Sequence, residues 1–380
     1  MDLLARVVFR RPVVHGDDLD PDALLRKDGI EQRAEALLGR VWLFYTGYYN
    51  KSSLPTLSGE ITKDQVTSYL KDCVSNSGHD LLPKYQENWH YTNDFTNKDY
   101  PYSRDLDLHW IGDEGDNVEA VMIDMASLNR NSVMGMVFGI RDNTKEHTYP
   151  FRDGWGATSV NTGFFEDWLR EEPDDIRRNA SIIDVRDPRE GLVNYVWFKD
   201  EGEETGYWSK KFMDVNGRNE AGVPTNFSLL AYGFTDRQSA LAVDRIEIRF
   251  ADVLLMLSEL TGDAQYMNRV RARVGLPAIP YSLEALQLER KHELALEGYR
   301  FWDLLRWYPL DQAGSIIDKA KNGVSFWRNG LEMTFTCDFA KRLPATGGFL
   351  ALPLSEIKLS EGVLKQNPGW ETPDAMFNPN

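Results

Sequence analysis

Residues 288–307, LERKHELALEGYRFWDLLRW, mix ionisable and apolar side chains too densely for a solvated surface helix. Glu289, Glu293 and Glu297 recur every four residues, so the spacing puts them on one helix face. Leu286, Arg290, Leu294 and Gly298 define an adjacent face. Gly298 is read as a point of close approach for another segment, and Arg300, Trp302, Asp303, Arg306 and Trp307 follow at once. Charges interleaved with Leu, Phe and Trp cannot all face water. The segment therefore predicts a half-buried structural network of Glu289, Arg290, Glu293, Glu297, Arg300, Asp303 and Arg306. Each carboxylate there needs an arginine partner, because unpaired buried charge is very costly. The competing reading is hydrolysis, since carboxylates at i,i+4 lie within the roughly 5 to 9 Å that glycosidases use. That reading needs a cleft and carboxyls of unequal pKa, whereas interleaved arginines hold all the acids ionised and paired. No catalytic residue is expected.

Composition narrows the classes further. The chain has 380 residues and a net charge of −16. It is long enough to bury a full core. It lacks the basic footprint of a nucleic-acid binder. An acidic surface suits a neutral ligand and disfavours unaided adhesion to anionic lipid. Cys73 and Cys337 are the only cysteines; they imply no disulfide framework and read as isolated thiols. The six histidines, His15, His79, His90, His109, His147 and His292, show no metal-type pairing. Residues 112–117, GDEGDN, could offer oxygens to calcium but lack the spacing of an EF-hand loop. No metal or cofactor is expected. No apolar run approaches the ~20 residues that span a bilayer. The first residues, MDLLARVVFRRPVVHGDD, do not read as a signal peptide, because arginines interrupt a short apolar run.

Along the chain, residues 1–29 carry little pattern beyond a polar Asp-rich stretch at 17–22. Residues 31–49 show a helical apolar stripe, and a second helix follows Thr62, with Gln65 placed for a capping box and Gly78 as its stop. Residues 88–116 and 142–162 read as loops. Strands are expected at 118–126, 133–140, 195–198, 207–212, 334–337 and 348–352, a short helix at 164–170, continuous helix from 245 to about 307, and a last helical turn at 353–359. Two antiparallel helices over 31–82 suit a tetratricopeptide-type hairpin, although no clean 34-residue repeat is present.

The charged segment resembles the signature helix of the SusD/RagB family, surface glycan-binding lipoproteins of Gram-negative nutrient uptake. Residues 249–260 (RFADVLLMLSEL), 268–277 (NRVRARVGLP), 352–357 (LPLSEI) and 366–370 (QNPGW) resemble further family elements in the same order, and residues 34–49 and 66–81 are similar to family helices. The resemblance covers roughly the C-terminal two thirds of a typical member; the family's usual signal, anchoring cysteine and N-terminal helices are not found. It implies a mostly α-helical, SusD-like scaffold with tetratricopeptide-type helical hairpins and an inserted loop-and-short-strand region. One domain over 1–380 is expected, with a helical hairpin at 31–82, a variable region at 83–243, signature helices at 244–308 and a closing segment at 309–380. It further implies non-catalytic capture of an oligo- or polysaccharide at the outer membrane, with lipid anchoring as in full-length relatives, and delivery to a TonB-dependent transporter of the SusC kind. A tetratricopeptide-type module that binds peptide, and a glycoside hydrolase, remain the alternatives.

Candidate ligand residues lie in the middle region. Residues 152–156, RDGWG, set Trp155 between two glycines that could let backbone and ring approach a sugar, with Arg152 and Asp153 placed to hydrogen-bond vicinal hydroxyls. The alternative is a tryptophan that pins the loop to the core. Tyr207 and Trp208 form a second candidate platform, of which only one residue can face the ligand if the segment is a strand. Trp110 and Tyr232 complete the set.

Overall fold

The computed structural model describes residues 27–112, 117–124, 133–142, 144–196, 204–233, 236 and 243–371; the side chains of residues 27–32 and of Tyr232 lie outside that set, as do the Asp-rich stretch at 17–22 and most of 112–117. Helix α1 (Lys27–Tyr49) leads through the hairpin β1 (Ser53–Thr56) and β2 (Gly59–Thr62) into α2 (Lys63–Asn76). The two helices are antiparallel. Trp42 Nε1 donates to Ile61 O at 2.8 Å, beside the start of α2, while Gly39 faces Leu70 a turn or more along it. A Cβ on Gly39 would lie 2.7 Å from Leu70 Cδ2, so any larger residue there would have to displace the Leu70 side chain. Thr62 and Gln65 form the expected capping box, and Gly78, with φ of +75°, follows the helix end.

The expected strand near 118–126 is β3 (Ala120–Asp124). The middle region then carries α3 (Thr162–Glu171), close to the expected 164–170, and α4 (Arg177–Ser181). β3 pairs antiparallel with β4 (Arg245–Arg249), which runs straight into α5 (Phe250–Thr261). α5 is apolar and buried on nearly every side, which makes it the axis of the scaffold. Leu43, Val66, Leu70, Cys73, Met267 and Leu286 pack around it. Gly262 ends it in the left-handed region. Asp263 then caps α6 (Ala264–Arg273) and Ser282 caps α7 (Leu283–Glu293).

The expectation of continuous helix to residue 307 is corrected here. α7 stops at Glu293, and α8 (Arg300–Trp307) starts a new axis. Between them Leu296 has φ of +64° and Gly298 φ of +89°, a conformation that breaks a right-handed helix. No atom lies within 4 Å of a Cβ built on Gly298. Its value is therefore backbone freedom and not the close approach expected of it. Helices α9 (Leu310–Lys321) and α10 (Phe339–Thr346) close the chain, with the expected last helical turn at Leu354–Leu359.

The middle region differs most from expectation. Residues 88–116, read as loop, hold short helical turns at His90–Thr92 and Asn97–Asp99 and a helix at Pro101–Asp105. Trp89, Tyr91, Tyr100 and Tyr102 join Phe151, Trp208 and Val215 in a second, aromatic core. Polar composition hid this, because tyrosine hydroxyls satisfy themselves inside: Tyr100 donates to Glu190 at 2.6 Å and Tyr91 to Ala180 O at 2.9 Å. The apolar run at 133–140 is a helix at Met134–Phe138; only Ile140–Arg141 is strand, paired in parallel with Asp153–Gly154. A run this short is ambiguous by periodicity. Tyr207–Ser209 pairs with Ile182–Asp184 as a true strand. Tyr195 and Val196 form none, and residues 197 and 198 lie outside the described set. The strand expected at 334–337 ends at Thr334 instead, in a hairpin of Ser325–Arg328 with Leu331–Thr334, and residues 348–352 are not strand. Cys73 is buried, Cys337 half-buried, and both are free thiols.

Candidate functional site

The signature acids converge on arginines from distant parts of the chain. Glu293 is fully buried and meets three guanidinium groups: Arg249 at 2.6 Å, Arg177 at 3.0 Å, and Arg273. Arg249 also bridges Glu119 at 2.7 Å and grips both oxygens of Glu297 at 2.7 and 3.0 Å. Arg177 clamps Asp175 with Nε and Nη2 and reaches Glu289, which Arg271 holds from the other side at 2.8 Å. A second knot lies one helix face away. Arg290 links Asp252 at 2.7 Å to Asp303 at 2.9 Å, Arg40 meets Asp252 at 2.6 Å, and Arg306 joins Asp303 to Glu259. Burial pushes the Glu293 carboxyl up, and the three arginines more than reverse this and hold it well below the usual range. Glu119 and Asp252 are depressed against their own burial in the same way. These carboxylates are held in the ionised form and paired with arginines, the state expected of a structural network.

Six of the seven residues expected in the network are in it. Arg300 is not. It is exposed, and among the described residues no carboxylate lies within ion-pair distance of it. The first turn of α8 points it outward, while Asp303 and Arg306 turn in. Glu297 lies beyond the end of α7, yet the left-handed turn still delivers it to Arg249.

One part of the network has the composition of a metal centre. Glu172, Asp175 and His292 bring ligand-type atoms within 4.8 Å of one another. Both carboxylates already carry arginines, Arg271 on Glu172 at 2.7 Å and Arg177 on Asp175. The His292 ring stacks flat on Trp168 at 4.4 Å and faces carboxylates with both nitrogens, Glu172 at 2.9 Å and Glu171 at 3.1 Å. The cluster fits an ion-pair network, because the arginines supply the positive charge a cation would bring.

The loop bearing Trp155 is held by three consecutive backbone N–H groups. Trp155 N–H donates to Met136 O, Gly156 N–H to Gly139 O and Ala157 N–H to Val137 O, at 2.6, 3.0 and 3.1 Å. A Cβ on Gly154 would sit 2.4 Å from Met136 O, and one on Gly156 2.4 Å from Arg141 Cβ. The glycines thus let the loop lie flat on its own neighbours, where the sequence suggested approach to a ligand. Trp155 as a residue is 43% exposed. Arg152 and Asp153 do not accompany it: both are buried, and Arg152 reaches Asp214 at 3.4 Å. They support the loop from beneath and cannot take bonds from sugar hydroxyls.

The second expected platform is corrected as well. Trp208 is fully buried, with Nε1 donating to Tyr195 Oη at 3.2 Å, and Tyr207 stacks on Phe165 at 4.4 Å beneath Arg186. The strand does point them to opposite faces, but protein covers both faces. Trp110 is half-buried and meets His90 edge-on at 4.6 Å. Tyr232 ends a short helix at Phe227–Tyr232, and its side chain lies outside the described residues.

The model of the SusD family matches residues 169–370, more than half of the chain. The chain belongs to the SusD family. The matched span begins inside α3 and takes in Arg177, Arg249, Arg271, Arg273 and all of the signature acids. Glu119 and Arg40 lie outside it, so the network also ties in flanking parts of the chain. Solved structures agree in fold. A laminarin-binding SusD-like protein is 23% identical, with a TM-score of 0.57 over 89% of this chain and 62% of its own. Surface glycan-binding protein A from Bacteroides thetaiotaomicron is 19% identical, with a TM-score of 0.58 over 88% and 63%. The same protein solved in complex with laminarihexaose gives 0.57 at 18% identity over 87% and 63%. The chain thus spans a little over three fifths of the length of these relatives. No curated protein matches it in sequence. Among the described residues, no helix is long and apolar enough to cross a membrane.

Sequence reasoning missed Arg177, Asp175 and Glu119 as members of the SusD-type network. The signal available was the arithmetic of charge: the four acids Glu289, Glu293, Glu297 and Asp303 outnumber the three arginines Arg290, Arg300 and Arg306 of their own segment.

Proposed function

We propose that this SusD-family protein captures a glycan at the cell surface without cleaving it, and delivers it to a TonB-dependent transporter of the SusC kind. The observation that carries the binding half is Trp155. A large side chain, 43% exposed, sits on a backbone fixed by three hydrogen bonds, so stacking on a pyranose face loses little conformational entropy. The arginine-bound state of the signature acids supports the non-catalytic half. Relatives described as binding laminarin, laminarihexaose or a xylogluco-oligosaccharide make β-glucans the first ligands to try. Lipid anchoring at the outer face of the outer membrane, as in the family, would place the site beside such a transporter.

Isothermal titration with laminarihexaose and a xylogluco-oligosaccharide tests the reading, beside a reducing-end assay on the same sugars. Binding that Trp155→Ala weakens, with no release of reducing ends, is expected. Turnover that disappears in Glu293→Gln would move the protein into the hydrolases. Unchanged affinity in Trp155→Ala would remove the platform.

A further inference from the structure

Asp214 sits between two aromatic loops that the sequence singles out separately. On one side it holds the loop of Trp155. Arg152 N–H donates to Asp214 O at 3.0 Å, and Arg152 Nη1 lies 3.4 Å from Asp214 Oδ2. The strand-like contact continues at Phe151 opposite Val215 and at Asn216 N–H to Pro150 O, 2.8 Å. On the other side His90 Nδ1 lies 3.3 Å from Asp214 Oδ1. The His90 ring meets Trp110 edge-on at 4.6 Å and Phe227 at 4.5 Å. Phe95, half exposed, packs on Phe227 at 5.9 Å and extends the aromatic surface around Trp110.

The joint is left open. Among the described residues neither nitrogen of His90 has a hydrogen-bond partner, and neither does Asp214 Oδ1, although both side chains are more than nine-tenths buried. Leaving a buried polar group unsatisfied costs about 1 to 3 kcal/mol, and native proteins keep few such groups. His90 is separated from its bond to Asp214 by orientation and not by distance. Its orientation is set by the rings that wedge it, of which Trp110 is the more exposed.

We propose that Trp110 and Trp155 are two parts of one glycan-binding surface, coupled through His90, Asp214 and Arg152, with Asp214 as the positioning residue. A sugar that stacks on Trp110 tilts it and closes the His90–Asp214 bond. The carboxylate, now held on both oxygens, fixes Arg152 and the loop that displays Trp155. By reciprocity, a sugar on Trp155 favours the closed joint and the tilted Trp110. The inference deepens the reading of Trp155 as a stacking platform and rests on it. It assigns the buried trio a part in ligand binding beyond stability.

The test uses the full chain labelled with 5-fluorotryptophan, with the fluorine lines of Trp110, Trp155 and Trp302 assigned from single Trp→Phe variants. In ligand-free protein, His90→Gln should move the Trp155 line as well as that of Trp110, and leave exposed Trp302 in place. In an Asp214→Asn background the same change should move Trp110 alone. A purely structural role for Asp214 would lower the melting temperature and leave Trp155 indifferent to His90, and that result overturns the coupling. If Asp214→Asn does not fold, the His90→Gln comparison still decides it. Titration calorimetry with laminarihexaose separates the levels. Tenfold or greater loss in both Trp110→Ala and Trp155→Ala supports one surface. Loss in Trp155→Ala alone sinks this inference and spares the platform; loss in neither sinks the platform itself.

Discussion

Removing Glu293 should cost more stability than any other single change in the signature segment. Its side chain is fully buried and meets Arg177, Arg249 and Arg273, so Glu293→Ala brings three guanidinium groups together around an empty site. Breaking a buried pair by deleting one partner costs ~3 to 5 kcal/mol. Each arginine keeps a second carboxylate: Asp175 and Glu289 for Arg177, Glu119 and Glu297 for Arg249, Glu119 for Arg273. The loss should therefore stay within that range, at about 4 kcal/mol, which is a large share of the ~5 to 15 kcal/mol that stabilises a typical domain. For a chain of this length it corresponds to a drop of roughly 5 °C in melting temperature. Arg300→Ala is the internal control: the residue is exposed and unpaired among the described residues, so it should stay within ~0.5 kcal/mol of the parent. Urea titration and thermal melting followed by circular dichroism give both numbers, and ligand binding in the cold should survive in both variants. Equal midpoints for the two variants would refute the network argument. So would a Glu293→Ala protein of normal stability that no longer binds.

Trp155→Ala should weaken glycan binding by roughly 1 to 3 kcal/mol by calorimetry and leave the melting temperature nearly unchanged, because an exposed ring leaves no cavity. Trp208→Ala should do the reverse: a fully buried indole is removed, stability falls by about 3 to 5 kcal/mol, and the folded fraction binds as before. Acid should loosen the seam between α3 and α7. Burial raises the Glu172 carboxyl, but His292 and Arg271 bring it from 4.5 down to about 2, and His292 with Lys291 does the same for Glu171. A depressed acid contributes stability that is complete above its unfolded pKa and lost as pH falls toward its folded one. The stability difference between the parent and Glu172→Gln should therefore hold above pH about 5 and shrink between about 4.5 and about 2. A difference that stays constant across that window, measured by urea unfolding, would contradict the assignment.

The sequence carried the scaffold well because local rules govern it. The Thr62 capping box, the apolar stripes of α1 and α2, and the need to neutralise Glu289, Glu293 and Glu297 all follow from spacing within a few turns. It named the wrong partners because pairing depends on which face of α7 meets which neighbour. Arg290, one residue from Glu289, points to Asp252 on α5, while Glu289 takes Arg177, whose number differs by 112. Arg300 looked equivalent to Arg306, but the left-handed turn at Leu296 and Gly298 resets the helix phase before α8. The Trp208 platform failed for the same non-local reason. Trp155 and Trp208 both follow a glycine within two residues in polar surroundings. What separates an exposed ring from a buried one is the strand Ile182–Asp184 and Tyr195 laid over Trp208, which no window around residue 208 contains.

Two adjacent lysines show how the scaffold and the middle region become one object. Lys210 and Lys211 are both fully buried and diverge in opposite directions. Lys210 Nζ bonds Glu190 at 2.6 Å and Asn179 O at 2.7 Å, and lies 4.0 Å from the centre of the Tyr102 ring, with Tyr91 and Tyr100 completing the cage. Lys211 Nζ bonds Glu297 at 2.6 Å and Glu293 O at 3.0 Å, within the signature network; burial pulls its pKa down to about 8. One dipeptide thus fastens the aromatic core to the arginine–glutamate core. Three residues further along the same loop is Asp214, which carries Arg152 and the loop of Trp155. The signature acids are thus linked to the exposed ring by a short run of backbone from Lys211 to Asp214 and by the contacts of Asp214 with Arg152. A buried network of ion pairs can in this way fix where an exposed ring stands some distance from it, which gives a physical reason for so much ionised, buried side chain at the centre of the fold.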